Sequence, residues 1–185
     1  MKKFLIIGGL IILTLVLLGG FGRNKQLKFK PGAENPRIES IRVIQEEGVR
    51  PRFSSAGNHF VFDRKNADGY YDLYVSDLNG NIITNLTEDR PGINQRNHGN
   101  GVYHPDKDYI VFISEEAGHY LDDAKYLADP GVGLFSNLYA TDLSGNKFWR
   151  LTDIPIKKSI GDGIAATATV NPHFLKNGTL VWTER

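Results

Sequence analysis

One sixteen-residue segment of this chain occurs twice without a gap, and this internal repeat limits the possible folds more than any other feature. The segment DLYVSDLNGNIITNLT begins at Asp72, and the segment NLYATDLSGNKFWRLT begins 65 positions later at Asn137. Tyr74 matches Tyr139, and the Asp-Leu, Gly and Leu-Thr positions match at the same spacing. A chain with this pattern is expected to build the same structural unit more than once.

A second shared element precedes each copy and occurs a third time near the end of the chain. The apolar runs HFVFDR, DYIVFIS and TLVWTE align at Phe62, Phe112 and Trp182. Alternate residues of a strand point to opposite faces, and both faces of these runs are apolar. The runs therefore predict strands buried between layers. Asn79-Gly80 separates two further strand patterns and predicts a hairpin.

Each full unit is thus predicted to contain four antiparallel strands, at about Arg50–Thr87 and Tyr103–Thr152. The third unit has only its first half, which a strand near Ile38–Gln45 is expected to complete. We expect the two sheets to pack through these apolar side chains: Phe60, Phe62, Ile110 and Phe112.

These motifs resemble the TolB-like, or PD40, class of β-propeller repeat over Arg50–Arg185. The residues that carry the resemblance in the first unit are Pro51, Phe53, Ser54, Gly57, Phe62, Asp72, Leu73, Tyr74, Asp77, Leu78, Gly80, Leu86 and Thr87. Those in the second unit are Pro105, Asp106, Phe112, Leu138, Tyr139, Asp142, Leu143, Gly145, Leu151 and Thr152. The resemblance implies an all-β fold of four-stranded antiparallel blades, about 2.5–3 of them in an incomplete ring or arc, after an N-terminal apolar helix. Because such blades serve translocation proteins, peptidase caps and sugar-active enzymes, the resemblance implies a fold more than an activity.

The N-terminal residues predict the compartment. Phe4–Gly22 contains no charged residue, and its nineteen residues nearly match the thickness of a bilayer core. We expect residues 1–22 to be a membrane anchor or a signal peptide, residues 23–37 to be a linker, and residues 38–185 to hold the repeats. The bulk of the chain is then expected outside the cytoplasm, in a bacterial periplasm or at the cell surface.

Composition excludes several classes of function. The chain has no cysteine, which excludes disulfides, thiolate metal sites and a cysteine nucleophile. Its 22 basic and 21 acidic side chains give a net charge of +1, so nucleic acid is not an expected partner. Neither a Gly-x-Ser-x-Gly motif nor a phosphate-binding glycine loop occurs.

The two units differ by one insert, Glu115–Gly133. Phe112 and Tyr139 are 27 positions apart, whereas the matching residues of the first unit are 12 apart, so the insert adds fifteen residues. Long loops on rigid scaffolds often carry function. The insert has acidic candidates for ligand or Ca²⁺ binding, namely Asp122, Asp123 and Asp129. The alternative is a solvated acidic loop with a short helix around Leu121–Leu127.

Three histidines near the blade connections are further candidates for ligand binding. His98, His104 and His173 could bind a metal or transfer protons. A structural hydrogen bond is the alternative for His104 and His173, because both stand near the starts of strands. Asp77 and Asp142 recur at one position of the repeat and are interpreted as turn caps.

The function that these features favour is a non-catalytic, extracytoplasmic module that binds a protein or a small polar ligand through its loops. The expected surface combines the insert with Arg90–His104 and Asp153–His173, because each of these segments follows an even-numbered strand. Open sheet edges also predict self-association. The alternative is the propeller portion of an enzyme, such as a prolyl-peptidase-like cap or a sugar lyase.

Overall fold

The computed structural model describes residues 42–119, 125–156 and 168–184, and within them the fold is all-β. The first four strands are β1 Val49–Phe53, β2 His59–Lys65, β3 Tyr71–Asp77 and β4 Ile82–Asn85. The next four are β5 His98–Tyr103, β6 Tyr109–Glu115, β7 Ser136–Asp142 and β8 Phe148–Arg150. The last two are β9 Thr169–Phe174 and β10 Leu180–Glu184.

The predicted anchor and linker, residues 1–37, lie outside the described residues. Within the described ranges, no helix has the length and apolar character needed to cross a bilayer. The short helix expected at Leu121–Leu127 is a single 3-10 turn, Lys125–Leu127, in its described part.

The repeat builds two four-stranded antiparallel sheets, β1-β2-β3-β4 and β5-β6-β7-β8, as predicted. The first sheet pairs Phe62 with Tyr74, and the second pairs Phe112 with Tyr139, so the register repeats as well. The second sheet begins at His98 instead of the predicted Tyr103. The strand pattern was hidden there because the run His98–Gly101 is rich in glycine, yet all four residues are buried.

In the apolar core between the first two sheets, the second sheet contributes the predicted residues and the first sheet contributes others. Ile110 and Phe112 of the second sheet lie there as expected, but they meet Val61 and Leu73 of the first sheet. The predicted Phe60 and Phe62 lie on the opposite face, where they pack with Tyr74 and Ile44. Both rows of β2 are apolar, so alternation alone does not decide which row faces the neighbouring sheet.

The third sheet, β9-β10, covers part of the far face of the second sheet. Phe174 and Leu180 pack against a cluster of Val102, Val111, Ile113, Leu138 and Ala140. The third sheet has two strands among the described residues. Of the strand expected near Ile38–Gln45, residues 38–41 lie outside the described residues. Residues 42–45 form no strand, and Ile44 packs on the first sheet.

Asp77 and Asp142 are turn caps, as predicted. The Asp77 Oδ1 accepts the backbone N–H of Asn79 at 2.8 Å and that of Asn81 at 2.9 Å. Asp142 makes the same pair of bonds one unit later. The glycine in the second turn, Gly145, has φ 70°, and a Cβ there would lie 2.4 Å from the carbonyl oxygen of Leu86, which directly follows β4. Glycine at this turn therefore allows the two sheets to approach closely.

Candidate functional site

The loop face is the end of the sheets where β2 and β6 end; it holds the β2–β3 loop, the connection 86–97 and the insert. The structure brings these segments together at the ends of their strands. Asn97 donates from Nδ2 to Glu115 Oε2 at 2.8 Å and to the Lys125 carbonyl at 3.2 Å. Leu134, which directly follows the insert, forms a β-bridge with Ala168 before β9. Contacts between these segments therefore fix their positions at the loop face.

Glu115 is the centre of one buried polar cluster in this face. Its side chain is 1% exposed and accepts bonds from Asn97 and from Arg96 Nη1, the latter at 3.4 Å. His119 Nε2 lies 2.8 Å from Glu115 Oε1. The His119 ring stacks on Phe135 with a centroid distance of 4.1 Å and an interplanar angle of 11°. The first part of the insert is thus anchored in the protein and is not the solvated loop of the alternative interpretation.

Glu116 is the centre of a second cluster on the neighbouring strands. The Tyr139 hydroxyl donates to Glu116 Oε1 at 2.9 Å, and Arg150 Nη2 lies 3.0 Å from the same oxygen. Asn137 donates from Nδ2 to this oxygen at 3.1 Å. Burial, together with the charge of Glu116, raises the pKa of Tyr139 to about 12. This hydroxyl therefore remains a donor throughout the physiological pH range.

Asp63 connects the first sheet to the second. Its carboxylate is buried and accepts the backbone N–H of Asn100 at 3.0 and 3.1 Å, and it pairs with Arg50. Burial raises the pKa of Asp63 to about 6, although Arg50 and the Asn100 N–H both act to lower it. A Cβ at Gly99 would lie 2.6 Å from this carboxylate, so glycine makes the approach possible.

The backbone at this contact is unusual and repeats in all three units. Arg50 in β1, Asn100 in β5 and Asn171 in β9 have φ values of 54°, 54° and 53°. Each first strand thus contains a left-handed residue at the same position, and the ladders of β1 and β5 shift register there. Such bulges redirect a side chain or an N–H away from its ladder. This is how the Asn100 N–H reaches the neighbouring sheet.

A polar cleft of about 370 Å³ opens on the loop face. Its lining comes from the β2–β3 loop, the connection and the insert, and consists of Asn66, Ala67, Asp68, Tyr70, Glu88, Asp89, Gln95 and Lys125. Lys125 Nζ donates to the Asp68 carbonyl at 2.7 Å and lies 4.0 Å above the centre of the Tyr70 ring. The Asp89 N–H donates to Gln95 Oε1 at 2.8 Å, which orders the connection. The acidic side chains of Asp68, Glu88 and Asp89 are exposed.

The structure does not bring the three predicted histidines together. His98 and His104 stand at opposite ends of β5, six residues in length. His98 is fully buried beside Phe112, and burial lowers its pKa to about 4. His104 accepts the Asp106 N–H at Nδ1 and packs on Phe174, at the end of the sheets opposite the loop face. His173 is exposed on β9.

Of the three predicted aspartates, Asp122 and Asp123 lie outside the described residues. Asp129 lies at the loop face, where its Oδ2 is 3.9 Å from Lys65 Nζ. Among the described side chains, no three His, Asp or Glu residues are arranged to hold a metal ion.

Sequence reasoning did not select Arg50, Asp63, Asn97 or Asn100. Asp63 directly follows the aligned aromatic of β2, at the position that Ile113 takes in β6, and this charge at an apolar repeat position was the available signal. Asn97 and Asn100 had no comparable signal, because asparagine is common in loops and bulges.

Comparisons with known proteins give a likeness to a solved structure. No family model matches the chain, and no curated protein does. The chain is similar to the crystal structure of TolB from Acinetobacter baumannii, with a TM-score of 0.48 and 19% sequence identity. The match covers 75% of this chain and 26% of that chain, so this chain spans about a quarter of its length. The repeat class that the sequence motifs resemble, the TolB-like class, carries the name of that protein.

Proposed function

We propose that this protein is a non-catalytic binding module that engages a protein or a small polar ligand through its loop face. The observation that carries the proposal is the polar cleft, because three separate segments contribute to it. Asp68, Glu88 and Lys125 each come from a different one of these segments. A cleft of this kind offers several polar groups to one ligand on a rigid scaffold.

The anchoring of these segments supports a preformed site. Glu115 is held by Arg96 and Asn97 and holds His119 in turn, so the insert and the connection share one buried ion-pair network. A binding surface that is ordered before the ligand arrives loses less conformational entropy on binding. Three exposed carboxylates against one lysine favour a ligand or a protein surface with cationic groups.

The burial of the acid–base pairs supports a role without catalysis. Glu115 and His119 have the spacing of a general base and its partner, but each side chain is 1% exposed. A substrate cannot reach a pair that is covered in this way. Glu116 is likewise engaged by Tyr139 and Arg150.

The proposed location is outside the cytoplasm, with the N-terminal apolar residues as an anchor or signal. This part of the proposal rests on Phe4–Gly22 in the sequence.

The test uses the immobilised full chain to capture binding partners from a bacterial envelope extract. We expect Glu88→Lys combined with Asp89→Lys to abolish a capture that the wild type shows. The matched control reverses two exposed charges at the opposite end of the sheets, Asp106→Lys with Asp108→Lys, and should capture as the wild type does. Equal capture by both double variants would contradict the proposed surface.

A further inference from the structure

We propose that the loop-face cleft binds the primary ammonium group of a ligand, at the position that the Lys125 ammonium occupies in the structure. The ligand displaces Lys125, which acts as an occupant supplied by the chain itself. Ligands of this class share an alkyl chain that ends in a primary amine, as in a free diamine or in a lysine side chain of another protein. This inference rests on the proposed function and names the ligand class of the same cleft.

The first observation is the way in which the cleft holds the Lys125 ammonium. Lys125 Nζ donates to the Asp68 carbonyl oxygen at 2.7 Å and lies 4.0 Å above the centre of the Tyr70 ring. A carbonyl oxygen and the face of an aromatic ring are both favourable neighbours for a cation that has N–H donors. We call these two groups the ammonium site. A side chain of the protein itself thus indicates which functional group the cleft accepts.

The ammonium site is ordered by the β2–β3 loop and not by Lys125. Asn66 Oδ1 accepts the backbone N–H of Asp68 at 3.0 Å and that of Tyr70 at 3.1 Å. The Asn66 N–H donates to the Tyr70 carbonyl at 2.8 Å and closes the loop. Departure of Lys125 breaks none of these bonds. The site is therefore formed before a ligand arrives, which lowers the entropy that binding costs.

The Lys125 side chain has few bonds to lose on displacement. Three other side chains that line the cleft are carboxylates, Asp68, Glu88 and Asp89, yet within the described ranges Lys125 has no ion pair with any of them. Displacement therefore exchanges one hydrogen bond to a neutral acceptor and one ring contact, both of modest strength. The backbone of Lys125 stays in place, because its carbonyl accepts Asn97 Nδ2 at 3.2 Å.

The charge of the cleft favours an additional cation. Its three exposed carboxylates have no ion pair in the part of the chain that the structure describes. A fourth carboxylate, Asp72, is buried beside them and accepts Asn66 Nδ2 at 3.0 Å. Burial raises the pKa of Asp72, hydrogen bonds from Asn66 and Thr87 lower it, and the charge of Glu88 raises it further. The cleft thus has an excess of negative charge, which an incoming ammonium group reduces.

The test measures binding of labelled probes to the full chain in detergent solution by equilibrium dialysis. The first probe is lysine with both backbone ends blocked, and we expect saturable binding. Its Nε-trimethyl form has the same charge but no N–H donor for the Asp68 carbonyl, so it should bind at least about threefold more weakly. The diamine cadaverine distinguishes the two sources of the ligand. Tighter binding than that of blocked lysine assigns the site to a free diamine, and equal binding assigns it to a lysine side chain of a protein.

Two lysine substitutions separate displacement from a general effect of charge. Lys125→Met vacates the ammonium site and should tighten binding of blocked lysine by at least about threefold, because in the wild type the site is open only while Lys125 is away. Lys65→Met is the matched control. Lys65 lies 5.0 Å above the Tyr71 ring and is 53% exposed, but it does not line the cleft. Its loss should change the affinity by less than about twofold at physiological salt.

The aromatic part of the site is tested at Tyr70. Tyr70→Phe keeps the ring and should bind blocked lysine at least about threefold more tightly than Tyr70→Leu. Circular dichroism verifies that each variant is folded, and the comparison of Lys125→Met with Lys65→Met remains decisive if Tyr70→Leu is not.

Three outcomes would overturn the proposal: equal gains from the two lysine variants, equal binding of blocked lysine and its trimethyl form, or no saturable binding to Lys125→Met. If these outcomes occur while capture of a partner still depends on Glu88 and Asp89, the ammonium site is wrong and the proposed function of the loop face stands.

Discussion

Asn100 donates its backbone N–H to both carboxylate oxygens of Asp63, at 3.0 and 3.1 Å, across the interface between the first two sheets. The two residues are 37 positions apart in the chain. Because the bulge in β5 releases this N–H from its own ladder, Asp63 is its acceptor in a buried environment. The pair therefore links the two sheets through buried hydrogen bonds.

Removing this carboxylate should destabilise the fold. We expect Asp63→Ala to lower the free energy of unfolding by about 2–3 kcal/mol, because the Asn100 N–H is left buried without an acceptor and Arg50 loses its partner. Urea unfolding measures the change. Asp68→Ala, an exposed aspartate of the β2–β3 loop, should cost less than about 0.5 kcal/mol. Equal losses in the two variants would show that the contact with Asn100 is not stabilising.

Two buried groups should give opposite pH dependences. Burial raises the pKa of Asp63 from 3.8 to about 6, so the stability it contributes is present below about pH 3.8 and is lost as the pH rises through about 6. Burial lowers the pKa of His98 from 6.5 to about 4, so its contribution is present above about pH 6.5 and is lost as the pH falls through about 4.

Unfolding measured between pH 3.5 and pH 7.5, roughly the span of these transitions, separates the two effects. The stability difference between the wild type and Asp63→Asn should decrease with rising pH, whereas that between the wild type and His98→Gln should increase. A difference that stays flat for either variant would exclude that residue as the titrating group.

Gly99 should be intolerant of even one methyl group. A Cβ there would lie 2.6 Å from the Asp63 carboxylate and 2.6 Å from the Pro130 ring, so Gly99→Ala should cost about 1–3 kcal/mol. Gly131→Ala is the control, because its Cβ would meet only the flexible end of Arg50 at 3.3 Å. Thermal unfolding of both variants checks this prediction, which fails if the two midpoints agree.

The Tyr139 hydroxyl should contribute to the stability of the folded chain. Tyr139→Phe leaves the buried Glu116 without one of its donors, and we expect a loss of about 1–2 kcal/mol. Tyr126→Phe removes a hydroxyl from a side chain that is 68% exposed and should change stability by less than about 0.5 kcal/mol. Chemical denaturation compares the two, and a Tyr139 variant as stable as the Tyr126 variant would argue against this role.

The N-terminal apolar segment should determine the location of the chain in the cell. Deletion of Met1–Gly22 is expected to release the remainder from membranes, because the deleted residues include the whole uncharged run. Fractionation of cells that express each form measures this. Recovery of the full-length chain in the soluble cytosol would contradict the predicted anchor or signal.

The strands and their register could be predicted because equivalent positions of the two repeats have similar residues. Tyr74 and Tyr139, 65 positions apart, already imply equivalent pairing with Phe62 and Phe112. The orientation of the faces could not be predicted, since Val61 is as suited to an interior as its neighbours Phe60 and Phe62.

The polar clusters were less accessible to sequence reasoning. The contact between Asp63 and Asn100 depends on a left-handed backbone at a residue that is not glycine, which composition does not indicate. The histidines show the opposite case. His98 and His104 are close in the sequence, but an extended strand of six residues separates them by roughly 20 Å.

The two faces that meet at the interface between the first two sheets carry different side chains, so the order of the units along the stack is directional. The face of one sheet that carries the valines packs against the face of the next sheet that carries the aromatic residues. The contact is therefore heterologous, and the two faces of each unit are different. Units of this kind add head to tail in one order only, and two aromatic rows placed face to face would lack their complement. Duplication of one unit within the coding sequence would therefore extend the stack by a layer and would not invert it, which makes the chain suited to growth by tandem copying.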